Sequence, residues 1–419
     1  MATDQTSNSP SSADCPYVHP IDTAPRLALH PLYDEVRGKN GGVAEVTLAS
    51  GQVGEGERVW LVTRYRDVQR VLRDQTAFSL EAAMSLHPEL RDTLLGLDGD
   101  AHREVRALVA DAFTRPAVAT YRPTIVQVVE DLLDEMEAGP QPADLFEQLG
   151  LSLALRTIGR ILGVPAKDLG QFRAWGDAFL GHASREAAAA AHREMSTYLG
   201  DLIEQRRNDP AGDLISTLAA RAPTDMAAAK VVNLPIALIL AGWETTASAV
   251  SLITLWLLTN PYGGQHTAYQ YLVAHPEKIP GAVWELLRAC PVDAADNGPR
   301  RVMRNVVISG QRIPAGDWVI ASHAAANRDH VEFPDPYRVD LDRTPNRHLS
   351  FGYGPHHCIG VILAQAEVEE AITALLRRFP TLHLANGFPT AWKTGVGVRG
   401  PSPLLVTWDQ AGQAAPGSL

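Results

Sequence analysis

The chain has 419 residues, of which 45% are hydrophobic, and its formal net charge is −11. This composition supplies enough apolar residues for a sizeable core, and the negative charge argues against nucleic acid as a general partner. The three cysteines, Cys15, Cys290 and Cys358, lie far apart and form no CxxC pair. A disulfide framework or a zinc site is therefore not expected, and a reducing cytoplasm is the natural compartment.

The N-terminal residues are rich in Ser, Asp, Thr and Asn and contain no apolar core of the signal-peptide type. This predicts a disordered leader over residues 1–16. No window approaches the roughly 20 apolar residues that a membrane-spanning helix needs. The longest candidate, which starts at Val231, is interrupted by Asn233, Pro235 and Glu244. We therefore expect no membrane anchor.

The N-terminal quarter of the chain predicts a hairpin flanked by short helices. The stretches Val43–Leu48 and Arg58–Val62 alternate apolar and polar residues and are separated by three glycines, which is typical of a β-hairpin. Helices are predicted to begin near residue 30 and to span residues 65–72. Residues 78–97 are expected to form an irregular lid over a pocket, because they are moderately apolar without a clear period.

Helices dominate the next part of the chain. Residues 98–102 are expected to cap a helix over residues 103–113, on which His102 and Arg106 are four residues apart and share one face. Taken alone, such a pair is usually solvated. Residues 116–208 are predicted to be almost wholly helical, with breaks at glycines.

A long apolar helix is predicted to follow, with Thr224 or Asp225 as its N-cap and its end near Leu258. Its centre reads Ala241-Gly242-Trp243-Glu244-Thr245-Thr246. Ala241 and Thr245 lie about 40° apart around the helix, so the threonine hydroxyl is expected to donate to the carbonyl of residue 241.

The same helix allows two interpretations. Gly242 leaves room for a small ligand against the backbone, whereas a packed helix with a glycine defect explains the pattern without any ligand. Trp243 is about 200° from Thr245 and is expected to pack behind the helix rather than beside a ligand.

The C-terminal third predicts an ion pair and further strands. Glu285 and Arg288 are three residues apart on a predicted helix and can pair. Residues 312–326 alternate as a strand does, and residues 382–384 and 404–408 are predicted to pair as a terminal hairpin.

The stretch from Phe351 to Gly360 contains a cysteine among glycines, directly before a helix predicted over residues 361–379. Unpaired N–H groups and the positive end of the helix dipole favour a thiolate at Cys358. Glycines nearby would let a flat ligand approach the backbone, and a rigidly held thiolate is a known axial ligand of haem iron. The alternative is a buried structural cysteine, which is the usual role of a lone Cys.

Two motifs resemble those of the cytochrome P450 family. Phe351, Gly352, Gly354, His356, Cys358 and Gly360 match its haem-binding signature, and residues 241–246 match its oxygen-activation motif A-G-x-D/E-T-T. The resemblance implies a mainly α fold with a small β-rich lobe, in which haem lies between the long central helix and the Cys358 helix. It also implies one catalytic domain over residues 17–410, followed by a flexible tail over residues 411–419.

The resemblance further implies the roles of individual residues. Cys358 would be the axial ligand of haem b, Thr245 would hold dioxygen and Glu244 would help to bring protons. The residues expected to contact the haem or its propionates are His102, Arg106, Ala241, Gly242, Arg300 (with Arg301 as the alternative), His348, Phe351, Gly352 and Gly360. Glu285, Arg288 and Arg338 would form a structural network behind the haem.

The expected activity is that of a haem-thiolate monooxygenase, which hydroxylates, epoxidises or demethylates a medium-sized, largely apolar molecule in bacterial secondary metabolism. Electrons would come from a separate ferredoxin and ferredoxin reductase, since no GxGxxG fingerprint is evident. A basic face is the expected docking site, formed by Arg103, Arg106, Arg343, Arg347 and His357.

Three alternatives remain open at this point. One is oxidative C–C or C–N coupling of aromatic substrates without oxygen insertion, and another is a non-catalytic haem protein. The third is a helical binding protein in which Cys358 is merely buried.

Substrate contacts are expected from residues 78–97, 169–206, 238–246, 292–297 and 394–396.

Overall fold

The structure, a computed structural model, describes residues 18–19, 27–39, 41–48, 58–84, 92–180, 184–293, 298–393 and 398–409. The predicted leader and tail lie outside the described residues. So do residues 85–91 of the predicted lid, residues 294–297 of the predicted substrate loop and residues 394–397 of the C-terminal turn.

Helices account for most of the described residues, as the sequence predicted. They are α1 (Leu32–Lys39), α2 (Tyr65–Arg73), α3 (Leu80–Met84), α4 (Gly99–Ala107), α5 (Arg115–Ala138), α6 (Ser152–Leu162), α7 (Leu169–Leu180), α8 (Arg185–Asn208), α9 (Leu214–Arg221), α10 (Ala228–Thr259), α11 (Ala268–Ala274), α12 (Ile279–Ala289), α13 (His323–Ala326) and α14 (Val361–Arg378). A π-helical segment, Phe146–Leu151, leads directly into α6.

The strands are short and form four small sheets. They are β1 (Val18–His19), β2 (Val43–Leu48), β3 (Arg58–Val62), β4 (Phe78–Ser79), β5 (Ala143–Asp144), β6 (Arg300–Val302), β7 (Val306–Ile308), β8 (Gln311–Ile313), β9 (Trp318–Ala321), β10 (His383–Leu384), β11 (Trp392–Lys393), β12 (Gly400–Pro401) and β13 (Leu405–Thr407). The largest sheet has six strands in the order β1-β2-β3-β9-β6-β4.

Both predicted strand pairings are confirmed. β2 and β3 pair antiparallel with Val43 opposite Val62. β10 pairs antiparallel with β13, and β5 joins β13 as a third strand. The third strand comes from more than two hundred residues earlier in the chain, so local alternation could not reveal it.

Three predicted boundaries are wrong. α10 begins at Ala228 with Ala227 as N-cap, because the Met226 N–H donates to the Pro223 carbonyl and closes a turn before it. The helix predicted over residues 103–113 begins instead at Gly99 and ends at Ala107, followed by a 3₁₀ turn. The segment predicted to be irregular opens with a strand and a short helix, β4 and α3.

The core is organised around α10. This helix is apolar on nearly all sides and packs against α6, α8 and α14. It is the one described helix that is long and apolar enough to cross a membrane, and 72% of its most apolar window is buried inside the protein. Burial on that scale is expected for the central helix of a globular fold.

A buried acid lies on α14. Glu367 is only 4% exposed, and burial raises the pKa of its carboxyl to about 8. Its ordinary pKa is about 4.3, so between these two values the native protein holds a proton that the unfolded chain releases. Stability from this group is therefore present at low pH and lost as the pH rises through that window.

We expect Glu367→Gln to flatten the pH dependence of stability between about pH 5 and pH 8. The native carboxyl contributes a slope of at most about 1.4 kcal/mol per pH unit, which the amide cannot contribute. Urea unfolding at several pH values measures it. Glu204→Gln, at a side chain that is 65% exposed, should keep the parent slope. Identical slopes in all three proteins would contradict the prediction.

Candidate active site

Cys358 lies in a tight loop between a 3₁₀ turn, Gly354–His356, and the first residue of α14. Its N–H donates to the Phe351 carbonyl at 2.8 Å, and the His357 N–H donates to the Gly354 carbonyl at 3.0 Å. These two bonds hold the cysteine at a defined position. The helix predicted after it is confirmed as α14.

The glycines of this loop have a more specific role than room for a ligand. Gly352 and Gly354 have positive φ values of 73° and 75°, a conformation that side chains rarely adopt. A Cβ on Gly354 would lie 2.9 Å from the Arg73 Cα and 3.0 Å from the Leu72 carbonyl oxygen. Gly354 is thus required where α2 packs against the loop.

The electrostatics of the Cys358 thiol differ from the sequence-based expectation. Burial raises the pKa of this thiol, while the Gly360 N–H and the Arg106 charge act in the opposite direction without offsetting it. Burial therefore outweighs the effects that favour the thiolate in the chain by itself. A metal that binds sulfur has to displace a proton, so its affinity depends on pH.

A polar cluster forms beside the loop around Asp98. Its carboxylate is 2.9 Å from His356 Nε2, and it accepts hydrogen bonds from the Ser79 hydroxyl at 2.8 Å and the Glu81 N–H at 3.0 Å. Burial opposes ionisation of Asp98, but these hydrogen bonds outweigh it and lower its pKa. The His102 ring lies 4.3 Å from the His356 ring, so this cluster joins α4 to the cysteine loop.

Three buried side chains here keep polar atoms without a hydrogen-bond partner among the described residues. They are His102 at both ring nitrogens, Arg300 at one Nη and His348 at Nε2. The Ser350 N–H donates to His348 Nδ1 at 3.3 Å, so the proton of this ring lies on the free Nε2. Burial lowers the pKa of His102 to about 4 and that of His348 to about 3.

Unpaired buried donors of this kind cost about 1–3 kcal/mol each. Arg300 is close enough to Asp98 and His356 for their charges to interact, and His348 interacts similarly with His357. The donors therefore surround one region, and a ligand with carboxylates would satisfy them. Arg301, the alternative in the sequence, instead stacks its guanidinium 4.4 Å from the Trp318 ring, which favours Arg300.

The middle of α10 presents an open face. Ala241 and Thr245 are exposed on a helix that is buried around them. Apart from the adjoining residues and backbone of α10 itself, no atom of the described residues lies within 4 Å of a Cβ built on Gly242. The Thr245 hydroxyl donates to the Ala241 carbonyl at 2.6 Å, as predicted. Glu244 is buried and pairs with Lys393, a residue that the sequence did not single out.

Trp243 packs behind the helix, which confirms the prediction. Its indole fills the space that a side chain at Gly176 on α7 would need, since a Cβ there would lie 1.7 Å from the ring. The helix thus turns its tryptophan toward α7 and its alanine and threonine toward open space.

A buried carboxylate, Glu285, fixes the segment before the cysteine loop. Arg288 donates to both of its oxygens at 2.7 Å, and both side chains are fully buried. Glu285 also accepts from Asn346 Nδ2 at 3.0 Å, the Asp340 N–H at 3.0 Å and Arg343 Nε at 3.1 Å. The arginine that completes the network is therefore Arg343.

The predicted role of Arg338 is wrong. Its side chain is exposed, and only its backbone carbonyl takes part, as the acceptor for Arg288 and Arg343. The chain turns between the two positions, so the arginine further along reaches Glu285. Spacing along the sequence does not distinguish the two.

The predicted basic face is smaller than expected. Arg343 is committed to Glu285, and Arg106 donates to the His357 carbonyl at 2.7 Å. Arg103 and Arg347 remain exposed, and Arg103 pairs with Asp100. Within the described ranges no three His, Cys, Asp or Glu side chains form a metal-binding group.

The chain is similar to known proteins over most of its length. A family model described as Cytochrome P450 matches residues 279–406. The mycinamicin IV hydroxylase/epoxidase of Micromonospora griseorubida is 39% identical over 365 residues, which cover 84% of this chain and 90% of that protein. The chain belongs to the cytochrome P450 family.

This cytochrome P450 is also 36% identical to the nocardicin C N-oxygenase of Nocardia uniformis subsp. tsuyamanensis, over 93% of this chain and 98% of that protein. The solved structure of cytochrome P450mel 107F1, described as having biaryl coupling reactivity, has a TM-score of 0.83 and 34% identity, covering 93% and 99% of the two chains. The predicted fold class and the prediction of a cytochrome P450 monooxygenase are confirmed.

We expect Arg343→Ala to destabilise this cytochrome P450 by about 2 kcal/mol, because Glu285 and three backbone carbonyls lose a charged donor. Urea unfolding measures the change. Arg338→Ala is the matched control, since it keeps the backbone carbonyl that the network uses and should stay within about 0.5 kcal/mol of the parent. Equal losses in the two variants would restore Arg338 to the network.

Proposed function

We propose that this monooxygenase inserts oxygen from dioxygen into a medium-sized, largely apolar small molecule of bacterial secondary metabolism. The observation that carries the proposal is the open face of α10, where Thr245 is exposed beside a buried acid, Glu244. An alcohol and an acid beside one open helix face suit a reaction that consumes protons. The hydroxylase/epoxidase and N-oxygenase among the relatives support the same reaction type.

The family implies haem, and the residues present fit it. Cys358 would supply the sulfur ligand, and the donors of His102, Arg300 and His348 that lack partners would bind the propionates together with Arg106. Backbone and small side chains would line the ring at Ala241, Gly242, Phe351, Gly352 and Gly360. Bound there, haem b with a thiolate ligand would supply the oxidising chemistry on dioxygen.

The roles of the α10 residues follow from their positions. The Thr245 hydroxyl donates a hydrogen bond to the Ala241 carbonyl, so its oxygen is free to accept a hydrogen bond from a group in the open space. The Glu244 carboxylate lies one residue away and would help to bring protons to this space. Trp243 holds this turn of the helix in register by packing against α7.

A second candidate function is oxidative coupling of aromatic rings without oxygen insertion. The biaryl coupling reactivity described for cytochrome P450mel 107F1 favours it, since that protein has a similar fold. An intact acid and threonine favour insertion, because proton supply is what makes cleavage of the O–O bond productive.

Electrons would come from a ferredoxin and its reductase in the bacterial cytoplasm. Ferredoxins are usually acidic, so a basic surface would attract them. Arg103 and Arg347 are exposed, and each is adjacent in the chain to a histidine of the site, His102 or His348. Few cysteines and bacterial relatives support the compartment.

Oxygen insertion predicts that label from ¹⁸O₂ appears in the product. Thr245→Ala should lower the product formed per electron pair by about a hundredfold, because proton delivery is impaired, while the substrate-induced spin-state change persists. Cys358→Ser is the companion variant and should lose the spectrum of the thiolate-bound pigment. Unlabelled, coupled product would favour the second candidate, and an unaltered spectrum in Cys358→Ser would remove the proposed axial ligand.

The docking proposal predicts that Arg103→Glu and Arg347→Glu each slow reduction by ferredoxin at low salt, with a smaller effect at high salt. Arg207→Glu on α8 is the control, since its side chain is similarly charged and 42% exposed. Stopped-flow reduction rates measure the effect. Unchanged rates at low salt in both variants would exclude this face.

A further inference from the structure

One ion pair joins the C-terminal strands to the proposed proton-delivery acid. The Lys393 ammonium contacts Glu244 Oε1 across 149 positions of the chain. The Glu244 side chain is 10% exposed and that of Lys393 is 36% exposed. The same ammonium lies 5.1 Å from the centre of the Phe146 ring, so a cation–π contact also restrains it.

The backbone of Lys393 is anchored to the helix that carries its partner. β11 pairs antiparallel with β12, which places Lys393 opposite Gly400. Gly400 in turn lies directly against Ser248 on α10, because a Cβ on Gly400 would be 3.3 Å from the Ser248 side chain. The strand pair therefore rests on α10 one turn beyond Glu244, and this geometry holds the ammonium at the carboxylate.

A carboxylate this buried is costly unless a charge or hydrogen bond compensates it. In the part of the chain that the structure describes, Lys393 is the ion-pair partner of Glu244. The Thr245 hydroxyl does not compensate it, since that hydroxyl donates to the Ala241 carbonyl. Removal of the ammonium would leave the Glu244 carboxylate without this ion pair and free to reorient.

We propose that Lys393 is a positioning residue for the oxidation, which holds the Glu244 carboxylate in place at the edge of the open α10 face. The inference rests on the proposed role of Glu244 in proton delivery. It gives the C-terminal strand pair a function besides contact with the substrate. Lys393 acts through Glu244 and need not touch the substrate.

The test compares Lys393→Met, Lys393→Arg, Glu244→Gln and the Lys393→Met/Glu244→Gln double variant in the holoenzyme. We expect Lys393→Met to lower the product formed per electron pair by about tenfold and to increase the solvent deuterium isotope effect on turnover. Lys393→Arg keeps a cation in place and should restore both to within about twofold of the parent. The double variant should be no worse than Glu244→Gln.

Urea unfolding of the same four proteins gives a readout that is independent of turnover. Because the two side chains touch, their effects on the unfolding midpoint should be non-additive. Lys278→Met is the matched control, since its lysine pairs with Asp342 and is 35% exposed at a site away from α10. That variant should keep the parent's product per electron pair and its solvent deuterium isotope effect.

The outcomes separate this inference from the proposed function. If Glu244→Gln lowers the product formed per electron pair but Lys393→Met does not, the role of Lys393 is wrong and that of Glu244 stands. If Glu244→Gln leaves the product per electron pair unchanged, the proton-delivery proposal itself fails. Additive effects on the unfolding midpoint would also overturn the inference, as would a loss of product per electron pair in Lys393→Arg as severe as in Lys393→Met.

Discussion

The buried carboxylate of Glu285 is the constraint on which the site depends. It sits on α12 in full contact with Arg288 and binds three groups from the segment that precedes the cysteine loop. A charge without solvent must be surrounded by donors, so these donors fix where the segment runs. Trp284 on the same helix also holds this segment. Its indole N–H donates to the Asn346 carbonyl, and its ring lies 4.2 Å from the His348 ring.

Part of the cost of burying polar groups falls at the site. Most buried polar groups in proteins find partners, yet within the described residues His102, Arg300 and His348 keep side-chain nitrogens without a hydrogen-bond partner beside the cysteine loop. Burial also raises the pKa of the Cys358 thiol. A ligand that carries carboxylates and a metal would satisfy the donors and bind the sulfur in one event, and would thereby stabilise the fold.

Local features of the chain were predictable and long-range partners were not. Alternation and helical geometry within a few residues predict three features: the hairpin of β2 and β3, the hydrogen bond of Thr245, and the packing of Trp243 behind α10. Arg343 displaced Arg338 because a turn between them decides which side chain reaches Glu285. Lys393, Asp98 and the close approach of α2 to Gly354 depend on contacts across more than 140 positions, for which one sequence carries no local signal.

The interlock between Trp243 and Gly176 has a mechanical consequence. α7 meets α10 through an indole that occupies the space left by a glycine side chain. α7 cannot slide along α10 without shifting that ring, and Trp243 is flanked along the chain by Gly242 and Glu244. A displacement of α7 would therefore be transmitted to the backbone of α10 beside its open face.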